Sequence, residues 1–147
     1  ANDVLWVSVV ASTMAQFLKP FTYWLRTREF HWSHIAETGG MPSSHSALVS
    51  AAAAGVGLRT GFDSAYFALA VALATIVTYD AAGVRRQAGR HARVLNQVIA
   101  ELIEGHPIQE LPLEELLGHS RKEVAVGVLF GVVVMLLWNF AIRPNFH

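Results

Sequence analysis

Two histidines sit in contexts suited to phosphoryl chemistry. His45 ends the run Pro42-Ser43-Ser44-His45, and His119 precedes Glu123 by four residues. Lys19 and Arg26 are seven residues apart, a spacing that places them on one helical face. Asp80 is followed closely by Arg85 and Arg86. Lysine and arginine neutralise phosphate oxygens, arginine through a bidentate fork. One imidazole can attack phosphorus while a second protonates the leaving oxygen. A carboxylate one helical turn from the attacking ring can hold its orientation and tautomer. Backbone N–H groups from Gly39-Gly40 and from the start of the next helix would complete an anion cradle. Each residue also has a plain structural reading. Ser43 and Ser44 serve equally as helix caps or phosphate donors, and Lys19 as a snorkelling side chain. Asp80 would pair locally with Arg85 or Arg86, and His119 with Glu123 would make a surface pair beside Arg121 and Lys122. Adjacent Arg85 and Arg86 point about 100° apart on a helix, so both cannot easily face one site.

The elements that must position these residues are unusually apolar. Hydrophobic residues make up 53% of the 147 and charged residues 15%, against about 25% charged in an ordinary soluble domain. Mean hydropathy is +0.38. Eleven basic residues balance eleven acidic ones, which removes any bulk attraction to nucleic acid. Cysteine is absent, excluding disulfides, thiolate zinc sites and a cysteine nucleophile. A metal-assisted hydrolase would draw on His45, Asp80, His119 and Glu123, but no His-Glu-x-x-His or comparably specific spacing marks a metal site, and no cofactor is expected. The uncharged runs are 19 residues over Val124–Ile142, 16 over Ser64–Tyr79, 15 over Val4–Leu18 and 14 over His45–Leu58. A spanning helix needs about 20 residues, with a range of roughly 17–25. One run reaches that length and the others fall just short, which favours a membrane bundle over a soluble one. The expectation is an all-α integral membrane protein, one domain over 1–147, with about four transmembrane helices.

Helices are expected over 3–26, 45–59, 64–82 and from about 119 to 142. The Ala51-Ala52-Ala53-Ala54-Gly55 stretch suits close helix packing in lipid. Residues 86–104 alternate charge with Val94, Leu95, Val98, Ile99, Leu102 and Ile103, an amphipathic helix lying on the membrane or against the bundle. Pro107 and Pro112 mark a loop over 105–117. Four antiparallel spans put Lys19, Arg26, Arg28, Arg85, Arg86, Arg90, Arg93, Arg121 and Lys122 on one face and leave Arg59 and Arg143 on the other. That asymmetry predicts a cytoplasmic location for the first face, which also carries His45, Asp80, His119 and Glu123. The start Ala1-Asn2-Asp3 puts no basic segment before the first apolar run, so it does not read as a cleaved signal peptide.

The same motifs resemble the signature of the type 2 phosphatidic acid phosphatases, which reads Lys-x6-Arg-Pro, Pro-Ser-Gly-His and Ser-Arg-x5-His-x3-Asp. The matching positions are Lys19 and Arg26, then Pro42-Ser43-Ser44-His45, then His119 and Glu123. The stretches 39–49, 79–86 and 117–119 are more similar still to the divergent branch of that family. Its members are small bacterial and plastid YuiD-like membrane proteins related to acid phosphatases and vanadium-dependent haloperoxidases. The likeness covers nearly the whole chain. It implies a metal-independent lipid phosphatase with a phosphohistidine intermediate. By that likeness His119 is the nucleophile, Glu123 its orienter and His45 the general acid, with Lys19 and Arg26 binding phosphate. The chain departs from the signature at Thr27 (Pro), Ser44 (Gly) and Glu123 (Asp), and Leu113 stands where an arginine belongs six residues before His119. Arg85 or Arg86 could replace that arginine. The chain is also about two spans shorter than the six-helix core of the parent superfamily, so either four spans suffice or a homodimer completes the site.

The resulting expectation is an enzyme of a bacterial inner membrane or a plastid membrane whose partners are the bilayer and a lipid phosphate. A cytoplasmic site favours phosphatidylglycerol phosphate, then phosphatidic acid, whereas undecaprenyl pyrophosphate would need the opposite topology. The competing expectation is a non-enzymatic phospholipid-binding or transport protein.

Overall fold

The computed structural model describes residues 2–32, 40–102 and 119–142, with the side chains of 84–86, 101 and 102 outside the description. The elements are α1 (Asp3–Thr27), α2 (Ser44–Thr60), α3 (Ala65–Ala82), α4 (Val84–Leu102) and α5 (Arg121–Leu137). A π-helical turn, Trp138–Ile142, continues α5. The expected loop over 105–117, and with it Leu113, lies outside the described residues, as do Gly39 and Arg143.

Side-chain caps start four of these helices. Asn2 Oδ1 accepts from the Leu5 N–H at 3.1 Å, and Ser64 Oγ accepts from the Phe67 N–H at 3.1 Å. Ser43 and Ser120 do the same for α2 and α5. Each satisfies an N–H that has no partner inside its own helix. α1 stops at Arg28, whose left-handed backbone (φ 63°) lets its N–H reach the Trp24 carbonyl at 2.7 Å.

α2 is the hub, packed against α1, α3 and α5. Its buried positions are almost all small: Ser44, Ser46, Ala47, Ser50, Ala51, Ala53, Gly55 and Gly57. Small residues let neighbouring backbones approach closely, which is how helices associate in lipid. α5 answers with Gly127 and Gly131. A methyl group built on Gly127 would lie 2.5 Å from the Ser43 carbonyl oxygen, and one on Gly131 would overlap the Ala47 carbonyl and the Ser50 hydroxyl. The small-residue run on α2 is legible in the sequence, and Gly127-x-x-x-Gly131 on α5 is its partner. Val7, Ala11, Ala51 and Met135 form the apolar centre of the bundle.

The large apolar side chains face outward instead. Trp6, Phe17 and Leu25 on α1, Leu69, Leu73 and Ile76 on α3, and Leu129 and Leu137 on α5 are all exposed. An apolar surface of that extent suits hydrocarbon and not water. Among the described residues, three helices are long and apolar enough to cross a membrane: Asp3–Thr27, the helix beginning at Ala65, and Arg121–Ile142. α2 has 17 residues. α4 begins right after Gly83, two residues earlier than expected, and leaves Val94, Leu95, Val98 and Ile99 exposed.

The direction of the chain alternates as four antiparallel helices require. At one end Arg59, closing α2, pairs with Asp3, opening α1. Trp138 Nε1, ending α5, donates to the same carboxylate at 3.5 Å. At the opposite end the His119 N–H, just ahead of α5, donates to the Ala81 carbonyl at the close of α3 at 2.9 Å.

Candidate functional site

The histidine end is built from three fastenings. The segment leading into α2 turns at Gly40, where φ is +90°, and runs beside the Lys19 stem, 3.6 Å from a Cβ built on the glycine. The Thr22 hydroxyl of α1 donates to the Met41 carbonyl. The Ser43 N–H donates to the Glu123 carbonyl of α5 at 3.2 Å. The Ser43 side chain is fully buried, and its Oγ accepts from the Ser46 N–H at 3.3 Å and the Ser46 hydroxyl at 3.0 Å. His45 follows as the second residue of α2, exposed beside the cap.

His119 is held on both its backbone and its ring. Only 2% of it is exposed. Its N–H is tied to Ala81 as described, and its Nδ1 lies 3.3 Å from Glu123 Oε2. Nε2 is buried and has no hydrogen-bond partner among the described residues. A neutral ring that donates from Nδ1 to a carboxylate carries a lone pair on Nε2. Leaving such a nitrogen buried and unmatched costs about 1–3 kcal/mol.

The Glu123 carboxylate is itself anchored. Its Oε2 accepts from the Ser120 N–H at 3.0 Å while the Ser120 hydroxyl accepts from the Glu123 N–H at 3.3 Å. This reciprocal capping box opens α5 and sets the carboxylate where the His119 ring meets it. The cap is a role beyond the orienting, surface-pair and metal-ligand readings that the sequence offered for Glu123. The Ser120-x-x-Glu123 spacing was the signal for the cap.

Across from His119 stands His45, with ring centroids 6.3 Å apart and planes inclined by 62°. The structure therefore brings together His45, His119, Glu123 and Ser43. Ser44 is buried as the first residue of α2. Lys19 is buried at 3% exposure, with its stem against Gly40. Asp80 is half-exposed in the last turn of α3, next to Ala81. Arg26 is exposed, seven residues or about 10 Å along the helix axis beyond Lys19, and nothing among the described residues ties it to the histidine pair. Arg85 and Arg86 lie in the first turn of α4, and their side chains are outside the description. Among the described residues, no three His, Asp or Glu side chains converge in a metal-type cluster.

Two positioning features had no side-chain signal of the kind sought. The Ala81 carbonyl is a backbone acceptor that any residue would supply. Gly127 matters through the side chain it lacks.

The sequence model of the Divergent PAP2 family matches residues 1–134. The "Uncharacterized membrane protein YuiD" of Bacillus subtilis (strain 168) is 37% identical over 147 residues, covering 92% of this chain and 93% of that protein. No solved structure matches the chain. Lys19, His45, Asp80, His119 and Glu123 all fall within the matched span, and the chain belongs to the Divergent PAP2 family.

Proposed function

We propose that the protein is a metal-independent lipid phosphate phosphatase. The observation that carries the proposal is the His119 ring: buried, held at Nδ1 by a carboxylate anchored in a helix cap, and without a partner at Nε2 among the described residues. Membership of a divergent phosphatase-related family supports the same reading. In the proposed reaction Nε2 forms a bond to phosphorus as the bond to the lipid oxygen breaks. His45 gives its proton to that leaving alkoxide. Water then cleaves the phosphohistidine, with His45 taking the proton, and inorganic phosphate leaves. An in-line displacement needs the two histidines on opposite sides of the phosphoryl group. With centroids 6.3 Å apart, the two rings would have to part to admit the phosphoryl group between them. Lys19 and Ser43 would bind the phosphoryl oxygens, with Ser44 and Asp80 at the rim. Arg26 and one of Arg85 or Arg86 would add charge from α1 and α4.

The rest of the proposal follows from topology. α2, about 25 Å long at 1.5 Å per residue, would be the fourth crossing, shielded by its three neighbours. The histidine end would face the cytoplasm, making phosphatidylglycerol phosphate the first candidate substrate and phosphatidic acid the second. One protomer or a homodimer would complete the site. The closure of Nε2 from solvent favours a second reading, phospholipid binding without turnover.

The test is inorganic phosphate release by the detergent-purified protein from phosphatidylglycerol phosphate, phosphatidic acid and undecaprenyl pyrophosphate, each with and without EDTA. The proposal expects EDTA-resistant release that disappears in His119→Ala. Binding of these lipids with no release by folded protein would select the second reading.

A further inference from the structure

A groove of about 400 Å³ opens between α2, α3 and α5, toward the side where lipid would lie. From α3 it is lined by Thr78, Thr75, Ala74, Val71 and Phe67, one helical stripe; from α5 it is lined by Val128 and Val132. Its upper rim is next to the histidine pair. Thr78 is one turn before Ala81, whose carbonyl holds His119, and Val128 follows the Gly127 that packs on Ser43. Its lower end is blocked. Phe62 stands edge-on against Phe67 with centroids 5.1 Å apart, and both crowd the backbone at Gly57.

The chemistry of the lining selects the occupant. Three hydroxyls border the groove, and each is spent on its own helix: Thr75 on the Val71 carbonyl at 2.8 Å, Thr78 on Ala74 at 2.7 Å and Ser50 on Ala47 at 3.3 Å. What remains for a ligand is hydrocarbon, with no polar group asking for a partner. From Thr78 to Phe67 the stripe advances eleven residue steps, about 16 Å. That matches the ~15 Å depth of one leaflet's chains in a ~30 Å hydrocarbon core.

We infer that this groove receives one acyl chain of the lipid phosphate and that the Phe62–Phe67 pair ends it, making Phe67 a determinant of chain length. The inference rests on the lipid phosphatase reading for its headgroup, while the groove's apolar lining, and its start at Thr78 one turn along α3 from the Ala81 that holds His119, are separate observations. That proximity distinguishes an acyl chain from a second protein helix as occupant: a headgroup held at the histidines would deliver its own chain to the rim.

The experiment has two arms on the full-length protein in detergent. In the first, phosphatidic acid carrying a diazirine at the acyl terminus is photolysed with the wild-type protein and the labelled peptides are mapped. Label at Phe62, Phe67 or Val71 that unlabelled phosphatidic acid competes away is expected. Label spread over the exposed face of α1, or label that is not competed, overturns the groove. In the second, phosphate release is measured for phosphatidic acids of increasing chain length. Ala74→Phe should lower the ratio of long-chain to short-chain turnover at least ~10-fold, the scale set by a few excluded methylenes. Phe67→Ala should move the optimum to longer chains. The ratio is read within each variant, so a general loss of folded protein cancels. Unchanged ratios in both variants, with phosphate still released, would sink the groove and leave the phosphatase standing. Competed groove labelling with no phosphate release from any lipid would sustain the groove and end the phosphatase reading.

Discussion

The two ends of the bundle handle their polar groups in opposite ways. At the Asp3 end, one carboxylate meets the Arg59 guanidinium and the Trp138 indole N–H, and three helix termini are joined by groups that satisfy one another. At the His119 end, the anchoring is as thorough, through Ser120, Ala81 and Glu123, yet it stops one atom short. Nε2 is buried and finds no partner among the described residues. A purely structural polar cluster would be expected to close all its bonds, because a buried unmatched nitrogen is a standing cost. Several hydrogen bonds aiming one nitrogen are what the proposed phosphatase reading asks of this end. The contrast also separates the two jobs of charge. The first end uses charge to hold helices together, and the second sets a carboxylate against an imidazole.

His119→Ala should break the comparison most. If Nε2 is the nucleophile, turnover falls by at least ~10³-fold, the scale of losing a member of a catalytic constellation. The unfolding temperature should also fall, since the ring is fully buried and its loss leaves a cavity and takes a partner from Glu123, so turnover is compared per folded protein. Residual turnover above one-tenth of wild type would return this end to an ordinary polar cluster.

Glu123 sharpens the comparison because it serves both purposes at once. Glu123→Gln keeps an oxygen for the Ser120 N–H but loses the charge facing the imidazole. We expect turnover to fall ~10²- to 10⁴-fold with the unfolding temperature nearly unchanged. Glu123→Ala should lose the same turnover and also the cap, worth about 0.5–2 kcal/mol. Paired assays of phosphate release and thermal unfolding check the split. If Gln and Ala both keep wild-type turnover, the carboxylate is only a cap.

Gly131→Ala tests what the two ends share. The added methyl would overlap the Ala47 carbonyl, so α5 must move off α2. Overpacking of this kind costs about 1–3 kcal/mol. The measurement is the unfolding midpoint in detergent, and an unshifted midpoint would mean that the crossing yields more easily than its geometry implies.

How much of this could be read in the sequence differs by residue for physical reasons. The helices were legible because uncharged runs and their polar boundaries are local properties, and so was the alternation that gathers His45 and His119 at one end. The central place of α2 was not. Its small residues lie on all sides, so the run has no apolar stripe to point at a neighbour. Lys19 and Arg26 share a spacing but not an environment. One is buried against Gly40 and the other is exposed, a difference set by a loop that periodicity does not see. The His119–Glu123 pair was legible from its spacing, whereas the Ala81 carbonyl that fixes its backbone was not, because every residue carries the same acceptor.

The smallest effect belongs at the opposite end. Arg59 and Asp3 are partly exposed, which discounts their attraction for solvent screening, so Arg59→Ala should destabilise by only on the order of 1 kcal/mol. The deeper prediction is about coupling. Asp3 holds both Arg59 and Trp138, so Asp3→Asn alone should cost as much as Asp3→Asn with Arg59→Ala, and unfolding midpoints for the two single variants and the double variant give the interaction directly. In all three, kcat for phosphate release should stay within a factor of ~2, since the latch lies a full helix length from His119. A fall in kcat that tracks the loss of stability would show that helix anchoring at the latch end also sets the aim of the ring. A fall in kcat without loss of stability would mean that the Asp3 end takes part in the chemistry, and the division between a closed and an open polar end would be wrong.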